Sequence, residues 1–361
     1  LLAVDEAHCI SQWGQDFRPV YLRIADFVDQ LPQRPVIGAF TATATQRVRE
    51  DIIRHLHLVN PETVTTGFDR PNLYFEVIRC GAGRNRDNAL QDVLRGKEGQ
   101  SGIVYCATRK AVEDVCDKLN EAGFAASRYH AGLSDEERKR NQEDFQYDRV
   151  QVMVATNAFG MGIDKSNVSF VVHYNMPKDL ESYYQEAGRA GRDGEDAVCC
   201  LLYQPSDVHL NTFLIDHAQE NTQLDSETQR IVTDRAKERL KQMTYYATTG
   251  GCLRTRILSY FGETPENLHC GNCSGCLQAE KERDVTREAG RIVACVMALG
   301  GKYGKALTAK VLAGGRDERI REKQLDKLSV FGSLRSEGEE NIRAMIDELI
   351  MDEVLEMTDG K

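Results

Sequence analysis

The stretch Ile103-Val104-Tyr105-Cys106 is apolar throughout, and a helical pattern follows it over residues 110–121. Apolar strands without polar alternation are typical of parallel sheets that helices cover on both faces. The succession recurs towards the C-terminus, with predicted strands at 125–129, 151–155, 169–173 and 197–203 and predicted helices at 134–145 and 179–187. Repeated units of this length predict a doubly wound α/β domain over residues 68–205.

On either side of this domain the pattern changes. Upstream, residues 1–4 and 36–40 are predicted strands, and residues 45–57 are a predicted helix. Downstream, the chain is helical to about residue 247, becomes cysteine-rich, and is helical again from about residue 284. These changes predict four regions: 1–67, 68–205, 206–281 and 282–361. Because the chain opens on an apolar strand without Met, we expect a fragment of a longer protein.

Composition places the chain among globular proteins. Of its 361 residues, 41% are hydrophobic and 28% are charged, which excludes a disordered or fibrous chain. No apolar run approaches the roughly 18 residues that a membrane-spanning helix needs. The eleven cysteines are an odd number, which predicts free thiols in a reducing compartment and excludes a secreted disulfide scaffold. The net charge of −10 lacks the basic excess of a strong non-specific nucleic-acid binder.

Two acidic residues stand directly after the first predicted strand, in Asp5-Glu6-Ala7-His8. A carboxylate pair at a strand end can hold Mg²⁺ through Asp5 while Glu6 orients an attacking water. An Asp-Glu pair in this position is also common in a solvated turn. The prediction therefore depends on motifs elsewhere in the chain.

A second motif, Gln185-Glu-Ala-Gly-Arg189-Ala-Gly-Arg192-Asp-Gly, begins on a predicted helix and continues into the following loop. Arg189 and Arg192 stand three residues apart among glycines, so both can reach one phosphate. A planar guanidinium in such a position stabilises the charge of phosphoryl transfer. An ordinary surface helix end is the alternative interpretation.

Two further loops at strand ends carry hydroxyls, small residues and glycines. They are Thr41-Ala-Thr-Ala-Thr45 and residues 155–164, and the second contains Gly162 and Asp164. Such loops suit hydrogen bonds to phosphates or to a neighbouring loop across a cleft. Each of them taken alone is equally typical of an ordinary loop.

Taken in order, these motifs resemble those of the superfamily 2 helicases, and specifically the RecQ family of DNA helicases, over essentially the whole chain. Asp5–His8 resembles the family's Walker B motif, and residues 40–45, 103–109, 155–164 and 185–194 resemble its third to sixth motifs. The resemblance implies two RecA-like lobes of parallel sheet, the first of them partial, with ATP and Mg²⁺ bound between them.

The resemblance also implies roles at this cleft. The residues that it implies for nucleotide binding and hydrolysis are Asp5, Glu6, His8, Gly162, Asp164, Gln185, Arg189 and Arg192. Asp5 and Glu6 would serve the metal and the water. His8 and Gln185 would couple the lobes, and Arg192 would be the arginine finger.

Residues 10–21 form an aromatic segment in which Trp13 and Phe17 interleave with Arg18. This mixture suits stacking on bases while a phosphate is held; a packed core turn is the alternative, because aromatic side chains are usually buried. The segment resembles the family's aromatic-rich loop, which implies that Trp13, Phe17 and Arg18 contact single-stranded DNA. It departs from the family at Gln15, where histidine is usual; glutamine can donate and accept hydrogen bonds but cannot titrate or carry charge.

Cys270-Gly-Asn-Cys273-Ser-Gly-Cys276 places three thiols at two-residue spacing. Tetrahedral zinc needs a fourth ligand; Cys252 is our choice, and His269 is the alternative. A Cys-x-x-Cys redox pair would not need the additional cysteines. The layout resembles the RecQ zinc-binding subdomain, which implies that residues 206–281 are a helical region holding Zn²⁺.

The last region, residues 282–361, resembles the family's winged-helix domain, which docks on duplex DNA, and it stops before a complete wing. A helicase also needs a P-loop. The stretch Gly300-Gly-Lys-Tyr-Gly-Lys-Ala306 has neither its spacing nor its hydroxyl. We therefore expect the P-loop upstream of Leu1 and the chain alone to be inactive.

The resemblance implies an ATP-dependent DNA helicase that moves 3′ to 5′ on single-stranded DNA and unwinds duplex DNA in recombination and repair. We expect a monomer that does not associate with a membrane. We expect the protein to be either cytoplasmic and nucleoid-associated in a bacterium or nuclear. The alternative is a non-hydrolysing zinc and winged-helix DNA-binding protein. Glu6, Gln185 and the two arginines of the second motif favour the helicase, because a pure binding module does not need them.

Overall fold

The computed structural model describes residues 1–11, 13, 16–81, 85–160, 165–217, 226–265, 267–278, 285–351 and 354–356. The chain divides into two compact units, residues 1–279 and residues 280–361. The first unit contains both β-sheets and a helical, cysteine-rich region, and the second unit is helical.

The N-terminal part of the first unit is a small parallel sheet with helices beside it. Strands β1 (Leu2–Val4) and β2 (Ile37–Ala39) pair in parallel. Helix α1 (Arg23–Asp29) lies between them in the chain, and helix α2 (Gln46–His55) follows β2. Because parallel strands end at the same edge of a sheet, the Asp5 and Phe40 segments leave it side by side, and the Ala7 N–H donates to the Phe40 carbonyl over 2.9 Å.

The larger sheet has six strands in the order β3-β8-β7-β4-β6-β5, and every pair is parallel. The strands are β3 (Leu73–Arg79), β4 (Ser101–Tyr105), β5 (Ala126–Tyr129), β6 (Val152–Ala155), β7 (Val168–His173) and β8 (Ala197–Tyr203). The connecting helices are α3 (Arg86–Leu94), α4 (Arg109–Glu121), α5 (Asp135–Gln146) and α6 (Leu180–Ala187). The central strands are almost fully buried, which explains their unbroken apolar sequence. The predicted doubly wound α/β fold is confirmed.

Strand β3 and helix α3 were absent from the sequence prediction. The sequence of β3, Leu-Tyr-Phe-Glu-Val-Ile-Arg, mixes apolar and charged residues because β3 is an edge strand, which among the described strands of the sheet neighbours β8 alone. Leu73 and Phe75 are buried, whereas Arg79 is exposed. Edge strands therefore lack the apolar run that identifies central strands of a parallel sheet.

The cysteine-rich region packs against one face of the larger sheet. Its helices are α7 (Ser206–Asp216), α8 (Ser226–Thr248), α9 (Leu253–Tyr260) and α10 (Ser274–Leu277). Tyr246 of α8 is fully buried against Tyr183 of α6, with ring centroids 4.9 Å apart. These helices and the sheet share one hydrophobic core, so the region is built into the first unit.

The second unit has a hydrophobic core of its own. Its helices are α11 (Thr286–Ala298), α12 (Lys305–Ala313), α13 (Glu318–Glu322) and α14 (Gly338–Met351). Ile292, Leu312 and Ile342 from three of these helices are buried together. Helix α12 ends at Gly314, whose φ of 70° is the left-handed conformation that glycine adopts without strain. Among the described residues, no helix is both long and apolar enough to cross a bilayer.

Candidate nucleotide cleft and cysteine cluster

The two carboxylates after β1 are exposed at the end of the small sheet. Glu6 has a left-handed backbone, with φ of 48°, which is uncommon for a residue with a side chain. Its N–H donates to the Asp5 carboxylate over 2.9 Å. The turn therefore presents both carboxylates to solvent at the strand end, where a cation can reach them.

His8 lies behind these carboxylates and is only 3% exposed. Its Nδ1 is 3.3 Å from a Glu6 carboxylate oxygen and 3.0 Å from Thr41 Oγ1. Burial lowers the pKa of His8, while the Glu6 charge acts in the opposite direction. Both contacts are made by the same ring nitrogen, Nδ1, so this one atom of His8 connects Glu6 to the loop after β2.

That loop makes the contact between the small sheet and the larger one. Thr41 Oγ1 donates to the Thr43 carbonyl over 3.2 Å, and Gln185 Nε2 on α6 donates to Thr43 Oγ1 over 3.0 Å. His8 and Gln185 are thus joined through Thr41 and Thr43. The sequence had indicated this hydroxyl-rich loop as one that bonds across a cleft, but not which threonine makes the bond.

The two arginines of the second motif occupy different environments. Arg189 Nη1 donates to the Gly160 carbonyl over 2.7 Å. Gly160 has φ of 150°, and a Cβ there would lie 2.2 Å from Arg189 Nη2, so the close approach requires glycine. Arg192 is exposed. Gly162 and Asp164, which the sequence also assigned to this cleft, lie outside the described residues.

Two arginines lie over the ring of Trp13. The guanidinium carbons of Arg47 on α2 and Arg235 on α8 lie 3.0 Å and 3.6 Å from its ring centroid, and Arg239 Nη1 donates to the Trp13 carbonyl over 3.4 Å. Cations over the faces of an indole are favourably placed. No sequence motif had indicated these arginines, because two of them are more than 200 positions from Trp13.

The other predicted DNA contacts are less constrained. Phe17 is half-buried and Arg18 is exposed, and Arg18 pairs with Asp16. Arg18 Nε also donates to the Asp16 carboxylate over 2.9 Å. Gln15, where the segment departs from the family, lies outside the described residues.

Four cysteine sulfurs form a compact cluster in which all ligand atoms lie within 4.8 Å of one another: Cys252, Cys270, Cys273 and Cys276. Cys252 caps α9 and accepts from the Thr255 N–H over 3.4 Å. Its Sγ is 3.9 Å from that of Cys273, and this hydrogen bond lowers the pKa of Cys252 and raises that of Cys273. His269 is exposed and is not a member of the group. Four thiol donors at this separation match tetrahedral zinc.

Three family models match the chain. They are the helicase conserved C-terminal domain over residues 85–194, the RecQ zinc-binding region over residues 205–277 and the RQC domain over residues 279–361. The zinc-binding match spans all four clustered cysteines, and it supports the prediction that this region binds zinc.

The chain is similar over its whole length to curated bacterial proteins. It is 43% identical over 360 residues to the ATP-dependent DNA helicase RecQ of Bacillus subtilis (strain 168), covering 100% of this chain and 59% of that protein. It is 38% identical over 349 residues to the protein of the same name from Pasteurella multocida (strain Pm70), covering 97% and 53%. The chain thus spans little more than half the length of these relatives.

Among solved structures, the chain is similar to S. cerevisiae Dbp5 bound to RNA and ADP BeF3, with a TM-score of 0.48 and 21% identity over 65% of this chain and 63% of that one. The family assignment rests on the three matched models and on the identity to the bacterial relatives. By these matches, the chain belongs to the RecQ family of superfamily 2 helicases.

Proposed function

We propose that this chain supplies the second RecA-like lobe, and part of the first, of an ATP-dependent DNA helicase that moves 3′ to 5′ on single-stranded DNA and unwinds duplexes in recombination and repair. We assign residues 1–67 to the first lobe, 68–205 to the second, 206–281 to the zinc-binding subdomain and 282–361 to a winged helix. The observation that carries the proposal is the series of contacts from Glu6 through His8, Thr41 and Thr43 to Gln185. A change at the nucleotide can pass along it from one lobe to the other.

At the cleft, Asp5 is proposed to hold Mg²⁺ and Glu6 to orient the attacking water. The exposed carboxylates at the end of β1 suit a hard cation, which prefers oxygen ligands. Bound Mg²⁺ would neutralise charge on the phosphates of ATP. His8, neutral and buried, fixes the Glu6 side chain from behind.

The second lobe contributes Arg189 and Arg192. Arg189 is bound to the loop after β6 through Gly160, so it is suited to order the loop that carries Gly162 and Asp164. Arg192 is exposed on the neighbouring turn. An arginine that acts on the transferring phosphoryl group must approach it from solvent on cleft closure, which favours Arg192 as the finger.

Single-stranded DNA is proposed to run past the aromatic segment, and duplex DNA to contact the winged helix. A base would stack on Trp13 when one of the two arginines over its ring moves aside to the phosphate backbone, for which both supply positive charge. The four clustered cysteines are proposed as the zinc ligands, with Cys252 as the fourth. Zinc there would fix the start of α9 and the short helix α10.

The test is ATP hydrolysis by a protein of the relatives' full length that contains this chain. Single-stranded DNA should stimulate hydrolysis, and Arg192→Ala should lower kcat by roughly 10³-fold, within the range of arginine fingers, with little change in nucleotide affinity. Glu6→Gln should lower kcat by roughly 10²-fold or more, since it removes a water-orienting carboxylate. Arg95→Ala, an exposed arginine of the same lobe outside the cleft, is the matched control and should leave kcat unchanged.

Two outcomes would count against the proposal. DNA binding without any DNA-stimulated hydrolysis would favour the non-hydrolysing zinc and winged-helix protein. Normal turnover by the Arg192→Ala protein would remove the finger assignment while leaving the helicase function in place.

A further inference from the structure

The segment that joins the two sheets, residues 69–73, binds the loop that follows α6. We call residues 188–196 the finger loop, because they include Arg189 and Arg192. Arg70 Nη2 donates to the carbonyls of Ala190 and Gly191 over 3.2 Å and 2.7 Å. Asn72 Nδ2 donates to the carbonyls of Gly191 and Glu195 over 2.9 Å and 2.8 Å. Two side chains of the joining segment therefore satisfy three carbonyls of the finger loop.

The backbone of the finger loop is also bonded to β7 and within itself, since the Gly191 N–H donates to the Val168 carbonyl over 2.8 Å and the Gly194 N–H donates to the Gly191 carbonyl over 3.2 Å. Arg70 and Asn72 add donors from outside the loop to the carbonyls of Ala190, Gly191 and Glu195, which lie beyond the end of α6. Gly191 has φ of 58°, and a Cβ there would lie 2.4 Å from Asn72 Nδ2 and 2.8 Å from the Glu195 carbonyl. The backbone of the loop thus approaches Asn72 as closely as only glycine permits.

The joining segment is itself held by the cysteine-rich region. Arg254 on α9 is 6% exposed and donates through Nη1 to an Asp69 carboxylate oxygen and the Arg70 carbonyl, both over 2.6 Å. It also donates through Nη2 to the Leu73 carbonyl over 2.5 Å. Asn272, which lies between two of the clustered cysteines, donates to the Pro71 carbonyl over 3.1 Å. Contacts therefore run from the cysteine cluster through the joining segment to the finger loop.

We propose that Arg70 and Asn72 are positioning residues that hold the finger loop in the geometry needed for hydrolysis, and that the cysteine cluster acts on the same loop through Arg254 and Asn272. The inference rests on the proposed function, because it concerns the loop of the proposed arginine finger. A guanidinium displaced by about 1 Å can lower a rate by about 10²-fold. Substitutions in the joining segment should therefore act on kcat through the finger loop.

The experiment compares Asn72→Asp, Arg70→Ala and Arg70→Lys in the full-length protein. Asn72→Asp keeps the shape but replaces a donor with a carboxylate facing two carbonyl oxygens, and it should lower kcat by about 10- to 100-fold with little change in the KM for ATP. Arg70→Lys keeps the charge and a donor, so it should recover most of the rate that Arg70→Ala loses. Asn85→Asp is the matched control, because Asn85 caps α3 with its side-chain oxygen and aspartate caps equally well.

A second measurement on the same variants is independent of activity. Amide hydrogen exchange over residues 188–196 should be faster in Asn72→Asp than in the parent or in Asn85→Asp, while zinc content and melting temperature stay near the parent values. Unchanged exchange in this loop, or a wild-type kcat from Asn72→Asp, would overturn the inference. If the parent protein hydrolyses no ATP, the proposed function fails, and the exchange measurement alone decides whether Asn72 positions the loop.

Discussion

The cysteine cluster and the nucleotide cleft are both built from polar side chains, but they are assembled over very different chain distances. Cys252 and Cys273 are 21 positions apart, and the other two cysteines flank Cys273 at two-residue spacing. Thr43 and Gln185, which join the two sides of the cleft, are 142 positions apart. A site made within one short segment depends on that segment's fold, whereas a site made across lobes can be weakened without unfolding either lobe.

The largest expected effect follows from this difference. Cys273→Ser should remove zinc and destabilise residues 250–278, since binding to a structural zinc site provides folding free energy of about 10–16 kcal/mol in small zinc-binding peptides. Cys273 is fully buried and forms an isolated β-bridge with Phe75 on β3. The loss of stability should therefore extend to that edge of the larger sheet. Zinc content and the melting temperature measure it.

The control for this prediction is Cys116→Ala, a buried cysteine of α4 far from the cluster in sequence. It should retain the zinc content expected of the wild type, about one equivalent for a single four-thiolate site. A Cys273→Ser protein with full zinc content and an unchanged melting temperature would contradict the structural role of the cluster.

Features that depend on one short segment of the chain were predicted from the sequence, whereas contacts between residues far apart in the chain were not. The cysteine spacing indicated a metal site directly, and the apolar runs of β4, β6 and β7 predicted the parallel sheet. Strand β3 was missed, because Glu76 and Arg79 interrupt its apolar sequence. The arginines around Trp13 were also missed, since they come from α2 and α8 and no local pattern relates them.

The motif residues of the cleft show the same limit. The sequence identified Asp5–His8 and Gln185 individually, and the resemblance to a family assigned them to one cleft. The order of contacts through Thr41 and Thr43 depends on how two sheets pack, which no spacing in the chain encodes. Arg70, Asn72 and Arg254 carried no motif at all, because their partners are backbone carbonyls distant in sequence.

Helix α6 contacts the cleft through Gln185 and the cysteine-rich region through Glu181. The buried carboxyl of Glu181 predicts that the free energy of unfolding depends on pH. Glu181 is 4% exposed and accepts from the Tyr260 hydroxyl of α9 over 2.7 Å. Burial, followed by the charge of Asp179, raises its pKa to about 7, although the bond from Tyr260 and the charge of Arg239 act in the opposite direction. The carboxyl is thus held protonated by the fold at mildly acidic pH.

Since the folded-state pKa exceeds the unfolded value of 4.5, the folded state binds more protons between these values, and stability falls as pH rises from about 4.5 to about 7. The contribution is complete below that window and lost above it. At about 1.4 kcal/mol per pKa unit, the loss is roughly 3 kcal/mol at most. Glu181→Gln keeps an acceptor for Tyr260 and should remove this dependence.

Trp13, the one tryptophan of the chain, lies in the first unit, so its fluorescence can report urea unfolding of that unit from pH 5 to pH 8. Glu136→Gln, an exposed glutamate on α5, is the control and should keep the wild-type pH dependence. The same slope in Glu181→Gln and in the wild type would show that this carboxyl is ionised in the folded protein throughout the window.

The smallest expected effect is at the bond that joins the lobes. Thr43 is 3% exposed and its hydroxyl accepts from Gln185 Nε2 over 3.0 Å. A single partly buried hydrogen bond contributes about 1 kcal/mol net, far less than the zinc site. A double-mutant cycle of Thr43→Val and Gln185→Ala isolates it, because valine keeps the shape of threonine and removes only the hydroxyl. The coupling free energy from urea unfolding should be about 1 kcal/mol.

A second cycle provides the control for this bond. Thr43→Val combined with Arg95→Ala, the exposed control outside the cleft, should be additive within about 0.5 kcal/mol. Additivity in the Thr43–Gln185 cycle as well would mean that the lobes are not joined by this bond in solution. Measurable coupling there, together with normal zinc content in both single variants, would establish that the cleft can be loosened while the cysteine cluster stays intact, which is what assembly across distant segments predicts.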